Sequence, residues 1–340
     1  MSAQMKILSA GPALTLQDMG RGGYLSQGLT RGGAADTLAL CEGAALLGQS
    51  PELAALEMVG MGGTFEVTQD TVIALTGGRM TATLDGAPLV WNASHLLPAG
   101  AKLVIGGVQA GTYGYLHVAG GFDTPQVMGA RSAHLTAGVG AVLGAGDTVP
   151  VGQAKPTRSG YFLAPSDRSK GGVIRVLETV QTPLFSSETR ERFAATTFKR
   201  DARGNRQGVR MDTETEGFFA EGGLSIVSEV ILPGDIQITG DGAPYVLMCE
   251  CQTTGGYPRI ATVLPADLPK VAQASVGAPL QFQFVTREEA VAAEKRDRAE
   301  RKGLGAHLQP LIREPHDISD LLSYQLVGGA ISATADPFET

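Results

Sequence analysis

Residues 245–264 read YVLMCECQTTGGYPRIATVL. Two apolar runs, Tyr245–Cys249 and Ile260–Leu264, have the length and composition of buried strands. A plain connection between strands needs only Gly, Asn or Asp. This one holds an amide, two hydroxyls, two adjacent glycines, a tyrosine, a proline and an arginine, groups able to hydrogen-bond a ligand. The strand reading extends outward. Short apolar runs punctuated by Gly, Pro and Asp recur at Thr64–Val67, Thr71–Leu75, Lys102–Ile105, Tyr113–Val118, Val173–Leu177 and Gln281–Val285. In YGYLHV, residues 113–118, Leu116 and Val118 alternate with His117. Many short strands of this kind belong to sandwiches and barrels, so the fold is predicted to be mainly β.

Composition bounds the rest. The 340 residues are 43% hydrophobic and 18% charged, enough for a sizeable core and against wholesale disorder. The 46 glycines follow no period, which favours tight turns over a collagen-like chain. A net charge of −7 argues against a nucleic-acid binder. Three cysteines (Cys41, Cys249, Cys251) are too few for a disulfide framework. The five histidines (His95, His117, His134, His307, His316) show no metal-ligand spacing, so no metal is predicted within this chain. The opening MSAQMKILSAGP lacks the apolar core of a signal peptide, and no run reaches the ~18 apolar residues of a membrane helix. A cytoplasmic location is the expectation.

Helices are fewer and peripheral. Residues 35–48 place Leu38, Cys41 and Ala45 on one helical face. Pro265–Ala274 starts on a favourable helical proline. Thr286-Arg287-Glu288-Glu289 matches a capping box ahead of a charged helix that Gly303 stops. Gly152–Ser159 is the best linker, dividing the chain into an N-terminal β domain, 1–155, and a C-terminal one, 160–340, that ends in a helical extension. Each half holds a turn of the same sequence, Asp85-Gly86-Ala87-Pro88 and Asp241-Gly242-Ala243-Pro244.

Three segments could carry chemistry. In the first, Thr15–Tyr24, continuing to Asp36, glycine amides and the forks of Arg21 and Arg31 could grip a carboxylate or phosphate, with Asp18 or Asp36 orienting an arginine. The plain alternative is an Asp–Arg staple in a glycine-rich loop, with Asp36 capping the next helix. No GxxxxGK[ST] occurs, so a nucleotide would be held in another way. The second segment, Val118–Asp123 and Met128–Ser132, reads as a strand ending in a glycine turn, followed by Arg131-Ser132 on a loop. The third is the opening loop. Gln252, Thr253 and Thr254 donate and accept, Gly255 and Gly256 expose amides, and Tyr257 adds a ring and a hydroxyl. Such a neutral wall suits a planar amide or ureide, unless the threonines only satisfy the loop's own backbone.

The motifs TxQDxGRxGY, VAGGFDxPxVxGxRS and QTTGGYPxIATV, in that order across residues 7–285, resemble the KipA family. This family is also known as allophanate hydrolase subunit 2, or the second half of the biotin-dependent carboxyltransferase domain of urea carboxylase. Its bacterial stand-alone members include the C subunit of 5-oxoprolinase. The resemblance implies two cyclophilin-like β-barrel domains. It also implies a KipI-like partner (the B subunit) and a further, LamB/YcsF-like partner (the A subunit). It implies substrates that share a planar N–C=O. Under it Gln252, Thr253 and Arg21 are the catalytic candidates, and Gln17, Asp18, Arg131, Ser132, Thr254, Gly255, Gly256 and Tyr257 line the substrate site. ATP-dependent opening of 5-oxoproline to glutamate, with ATP held here or by a partner, is the first expectation. Biotin-dependent carboxyl transfer, with biotin on a partner, and KipA-like binding of a kinase inhibitor are the alternatives. Three positions depart from the family pattern: Glu250-Cys251 replaces Asp-Arg, Glu178-Thr179-Val180 fills a Gly-Pro turn, and Ala133 follows Arg131-Ser132 in place of threonine.

Overall fold

A computed structural model describes residues 3–312 except 156, 158 and 224. His316 and the end of the expected C-terminal extension lie outside the described residues. The chain is mainly β. Eleven strands form one sheet whose centre is a long antiparallel pair, Thr71–Leu84 against Leu103–Val118. The two runs expected at Lys102–Ile105 and Tyr113–Val118 are the ends of this one 16-residue strand. Its first end pairs with Met61–Val67 and its second with Ala55–Val59. Tyr161–Phe162 and, late in the chain, Gln309–Pro310 complete one edge of the same sheet.

Seven strands between Gly172 and Phe284 close a barrel, in the order 172–177, 259–263, 235–238, 244–247, 208–212, 197–204 and 279–284. The last strand returns parallel to the first, with Ile174 opposite Phe282. Phe193, Phe198 and Phe282 fill the interior, with ring centroids 5.0–5.4 Å apart. Close aromatic packing of this kind supplies much of a core's burial. The first sheet, by contrast, is a branched path whose described strands do not return on themselves.

Four α-helices flank the sheets: α1 (Thr37–Leu47), α2 (Ser187–Ala195), α3 (Leu268–Gln273) and α4 (Arg287–Gly303). Asp36 caps α1 by accepting from the amides of Leu38 and Ala39 at 3.0 and 3.1 Å. The buried face of α1 is not the expected one. Ala39, Leu40, Glu42, Gly43, Ala44, Leu46 and Leu47 are buried, whereas Leu38, Cys41 and Ala45 are half-buried. At Gly43 the missing side chain lets the helix approach the sheet closely, against the His117 ring. The Thr286–Glu289 capping box forms as expected, and α4 ends at Gly303. The two Asp-Gly-Ala-Pro turns differ in geometry. Asp85 and Gly86 both take positive φ, 47° and 86°, while in the second turn only Gly242 does, at 77°.

Candidate functional site

The first and second motifs meet. Asp18 accepts from the Gly20 amide at 2.9 Å and from the Arg131 amide at 2.6 Å. Gln17 Nε2 donates to the Ala133 carbonyl at 3.2 Å. Arg21 is 2% exposed and donates to the carbonyls of Val127, at 3.4 Å, and Ser132. The expected Asp18–Arg21 staple is therefore indirect: each side chain fastens the 127–133 loop through its backbone. Burial pulls the Arg21 guanidinium below its usual pKa, against the opposing fields of Asp18 and Glu250. Four buried polar atoms along this junction have no hydrogen-bond partner: Gln17 Oε1, Arg21 Nη1, Arg131 Nε and Ser132 Oγ. Buried polar groups are normally satisfied, so this junction has unspent capacity for water or a ligand. Arg131 itself pairs with Asp123 at 2.7 Å.

The third motif lies elsewhere. Thr254–Gly255 forms a two-stranded ribbon with Glu229–Val230, and the Thr253 and Gly256 carbonyls accept from Ile231 and Ile226 at 3.1 and 2.8 Å. Much of the loop's backbone is thus spent on structure. At Gly255 a Cβ would meet Gln237 Nε2 at 2.5 Å, so this glycine makes room for a neighbour. Gln252 is exposed and lines a cleft of about 490 Å³ on the outer wall of the barrel, together with Arg203, Asn205, Gln207, Gln237 and Tyr245. Arg21, Arg131 and Ser132 do not line it. The structure therefore does not bring Gln252 and Arg21 into one pocket. Thr254 and Tyr257 are exposed, and Thr253 is half-buried.

A buried ionic seam joins the two regions, and residue spacing gave no sign of it. Arg206 is the hub. It donates to Glu250 at 2.6 Å, to Glu57 at 2.5 Å and to the Gly33 carbonyl at 2.5 Å. Glu57 also accepts from the Tyr115 hydroxyl at 2.6 Å and the Ala35 amide at 2.9 Å. Farther along, Arg168 bridges Asp36 at 2.8 Å and Glu42 at 2.6 Å, and Gln273 donates to Asp36 at 2.9 Å. Burial alone would raise Glu250, but Arg206 outweighs it and holds this carboxylate below the usual range. Beside it, Glu250 accepts from the amide and hydroxyl of Thr136, both at 3.1 Å.

The Cys251 carbonyl accepts from the Thr30 hydroxyl at 3.0 Å, so that hydroxyl must in turn accept from His134 Nε2, 2.9 Å away. His134 is the neutral Nε2–H tautomer, and burial pushes its pKa down. Cys249 and Cys251 stay protonated thiols, pushed up to about 11 and about 12 by burial. They supply no thiolate nucleophile near pH 7. The cleft thus offers mainly neutral donors and acceptors: the Gln252 and Gln237 amides and the Tyr245 phenol. Its one guanidinium, Arg203, is held on Asp201, whose pKa that contact lowers to about 2. Among the described residues no group of three or more His, Cys, Asp or Glu side chains is placed to hold a metal ion, and no helix is long and apolar enough to cross a membrane.

The family model for the carboxyltransferase domain, subdomain A and B, matches residues 27–284. The chain is 35% identical to the C subunit of 5-oxoprolinase from Escherichia coli over 85% of its own length and 94% of that protein's. It is 28% identical to urea amidolyase of Saccharomyces cerevisiae over 82% of its length, and that match spans 16% of the yeast protein. The crystal structure of TTHA0988 superposes with a TM-score of 0.75 at 28% identity, covering 83% of this chain and about half, 56%, of the other.

Proposed function

The chain belongs to the carboxyltransferase-domain family, subdomains A and B, and from that premise we propose that it is one component of a hetero-oligomeric enzyme that activates an amide, opening 5-oxoproline to glutamate with ATP. The observation that carries this reading is the 35% identity to a protein named as the C subunit of 5-oxoprolinase, along nearly the whole of that protein. The Gln252 cleft supports it. A lactam presents one carbonyl acceptor and one N–H donor in a plane, and side-chain amides and a phenol match both without a charge. Donors already in place can stabilise charge that develops on the carbonyl oxygen during attack. ATP would supply a phosphoryl group to that oxygen. The chain has no GxxxxGK[ST] cradle, so ATP would be held here in another way or by a partner.

The test is reconstitution with the KipI-like and LamB/YcsF-like partners, following glutamate and ADP release from 5-oxoproline. The complex should turn over and the single chain should not. Robust turnover by the chain alone would refute partner dependence. The yeast urea amidolyase match favours a second reading, carboxyl transfer from a partner's biotin. Carboxylation of urea, with no release of glutamate, would decide for it. Binding of a KipI-like chain with neither activity would leave the regulatory alternative.

A further inference from the structure

Exposed large apolar side chains are spread unevenly over the described surface. Val180, Phe219, Val227, Val230, Leu232 and Tyr257 are exposed by 86, 46, 87, 54, 46 and 44%. Hydrogen bonds tie their segments into one face. The Glu221 amide donates to the Leu184 carbonyl at 2.7 Å, and the Ile226 amide to the Gly256 carbonyl at 2.8 Å. Gln181 donates to Glu229 at 2.6 Å, and the Glu229–Val230 ribbon fixes Val230 beside Thr254. Isolated apolar residues on a surface need no explanation, but a contiguous group rimmed by polar residues marks an interaction site.

The face has a sign and borders the cleft. Segments 178–188 and 219–232 carry four glutamates, Glu178, Glu188, Glu221 and Glu229, and no lysine or arginine. Glu229 is paired with Arg259 at 2.8 Å, and Glu178 is only loosely matched by Arg190 at 3.4 Å. Between Val230 and Leu232 the chain turns inward at Ile231, which lines the Gln252 cleft. Without their buried residues, these segments and 252–257 are of the size of one side of a stable protein interface, roughly 20–30 residues.

We infer that this face docks a partner protein that presents an apolar ridge flanked by lysine and arginine, and that docking covers the open side of the Gln252 cleft. The identity of the partner rests on the proposed function; the position of the surface does not. Two forces act together: dehydration of the apolar group gives affinity, and the acidic rim selects a basic partner and speeds encounter.

The experiment measures binding of the full chain to the KipI-like partner by calorimetry, with Val227→Lys/Val230→Lys set against the control Val276→Lys, an exposed valine elsewhere (64%). The double variant should weaken binding by about 30-fold or more, the loss expected of a central interface residue, with its melting temperature unchanged. The control should bind as the parent does, and raising salt should weaken the parent complex. Parent-like affinity in the double variant overturns the inference, as does failure of the KipI-like partner to bind. Concentration-dependent self-association lost in the double variant would assign the face to a second copy and overturn it too. A complex that forms through this face yet releases no glutamate would sink the oxoprolinase reading and leave the surface standing.

Discussion

Gly43→Ala should destabilise the protein, although it replaces glycine by alanine inside a helix. On propensity alone the change stabilises by about 1 kcal/mol. Here a Cβ at position 43 would lie 2.4 Å from three ring atoms of His117 on the long central strand. The ring cannot easily swing away. Its Nε2 is 2.8 Å from the Thr76 hydroxyl, and that hydroxyl donates to the Ala39 carbonyl at 2.9 Å, one turn earlier in α1. The hydroxyl proton is committed to Ala39, so His117 must be the donor, and its neutral Nε2–H tautomer is fixed. The helix therefore has to lift from the sheet or the lock has to break. Overpacking of a core costs about 1–3 kcal/mol, and a lost internal hydrogen bond about 1 kcal/mol more. The steric cost exceeds the propensity gain, so we expect a net loss of about 1–3 kcal/mol. Urea unfolding followed by circular dichroism measures it. Adding His117→Ala to Gly43→Ala should recover part of the loss by opening space. A Gly43→Ala protein at least as stable as the parent would refute the reasoning.

Burial lowers the His117 pKa to about 3, whereas the unfolded chain takes the proton near its ordinary value; below about pH 6.5 stability should therefore fall by up to about 1.4 kcal/mol per unit toward pH 3, and His117→Asn should flatten that slope in unfolding curves between pH 7 and 4. Arg206→Met should cost about 3–5 kcal/mol, because it leaves Glu57 and Glu250 buried without their cation. Combining it with Glu57→Gln and Glu250→Gln should restore much of the melting temperature, and no recovery would show that the charges are not the cause. Gln252→Ala in the reconstituted enzyme should lower kcat/KM by the equivalent of about 2–4 kcal/mol with little change in melting temperature; full activity would make the loop structural only. Arg21→Lys should lower the melting temperature, since a lysine cannot reach two carbonyls with one planar fork.

Local signals in the sequence carried the strands, the α4 capping box and the Asp36 cap, because each depends on residues a few positions apart. The long strand Leu103–Val118 reads as separate pieces because glycines at 106, 107, 111 and 114 interrupt the apolar pattern. Leu38, Cys41 and Ala45 looked like a core stripe because hydrophobicity was the only guide; the helix instead turns the Gly43 side inward, where a histidine ring needs the space. Among the candidate site residues, Gln17, Asp18 and Arg21 of the first motif and Arg131 and Ser132 of the second were recognisable separately, and the fold brings the two motifs together. Gln252 was recognisable too, but the pocket it lines was not, because Asn205, Gln207 and Tyr245 follow no motif.

The seam was hidden for a related reason. Tyr115 and Glu57 are 58 residues apart, and Arg206 and Glu57 are 149 apart. No periodicity spans such distances, and a charged residue in a β-rich sequence reads as solvated until its partners are known. Yet the seam gives the divided site its unity. Glu250 receives Arg206 on one side and Thr136 on the other, and Gln207 of the cleft donates to that same Thr136 hydroxyl at 3.1 Å. The next residue, Cys251, is held through its carbonyl by Thr30, which stands on His134. A shift of the first-motif loop would therefore act on the segment after strand 244–247 that carries Gln252. Replacing the family's Asp-Arg by Glu250-Cys251 fits this arrangement. The longer carboxylate meets Arg206 and Thr136, while the sulfur packs with Ile231 and Leu247 in a small apolar cluster. An arginine at 251 would bring an unpaired charge into that cluster, which is costly. At these two positions the departure from the family pattern is matched by its immediate surroundings.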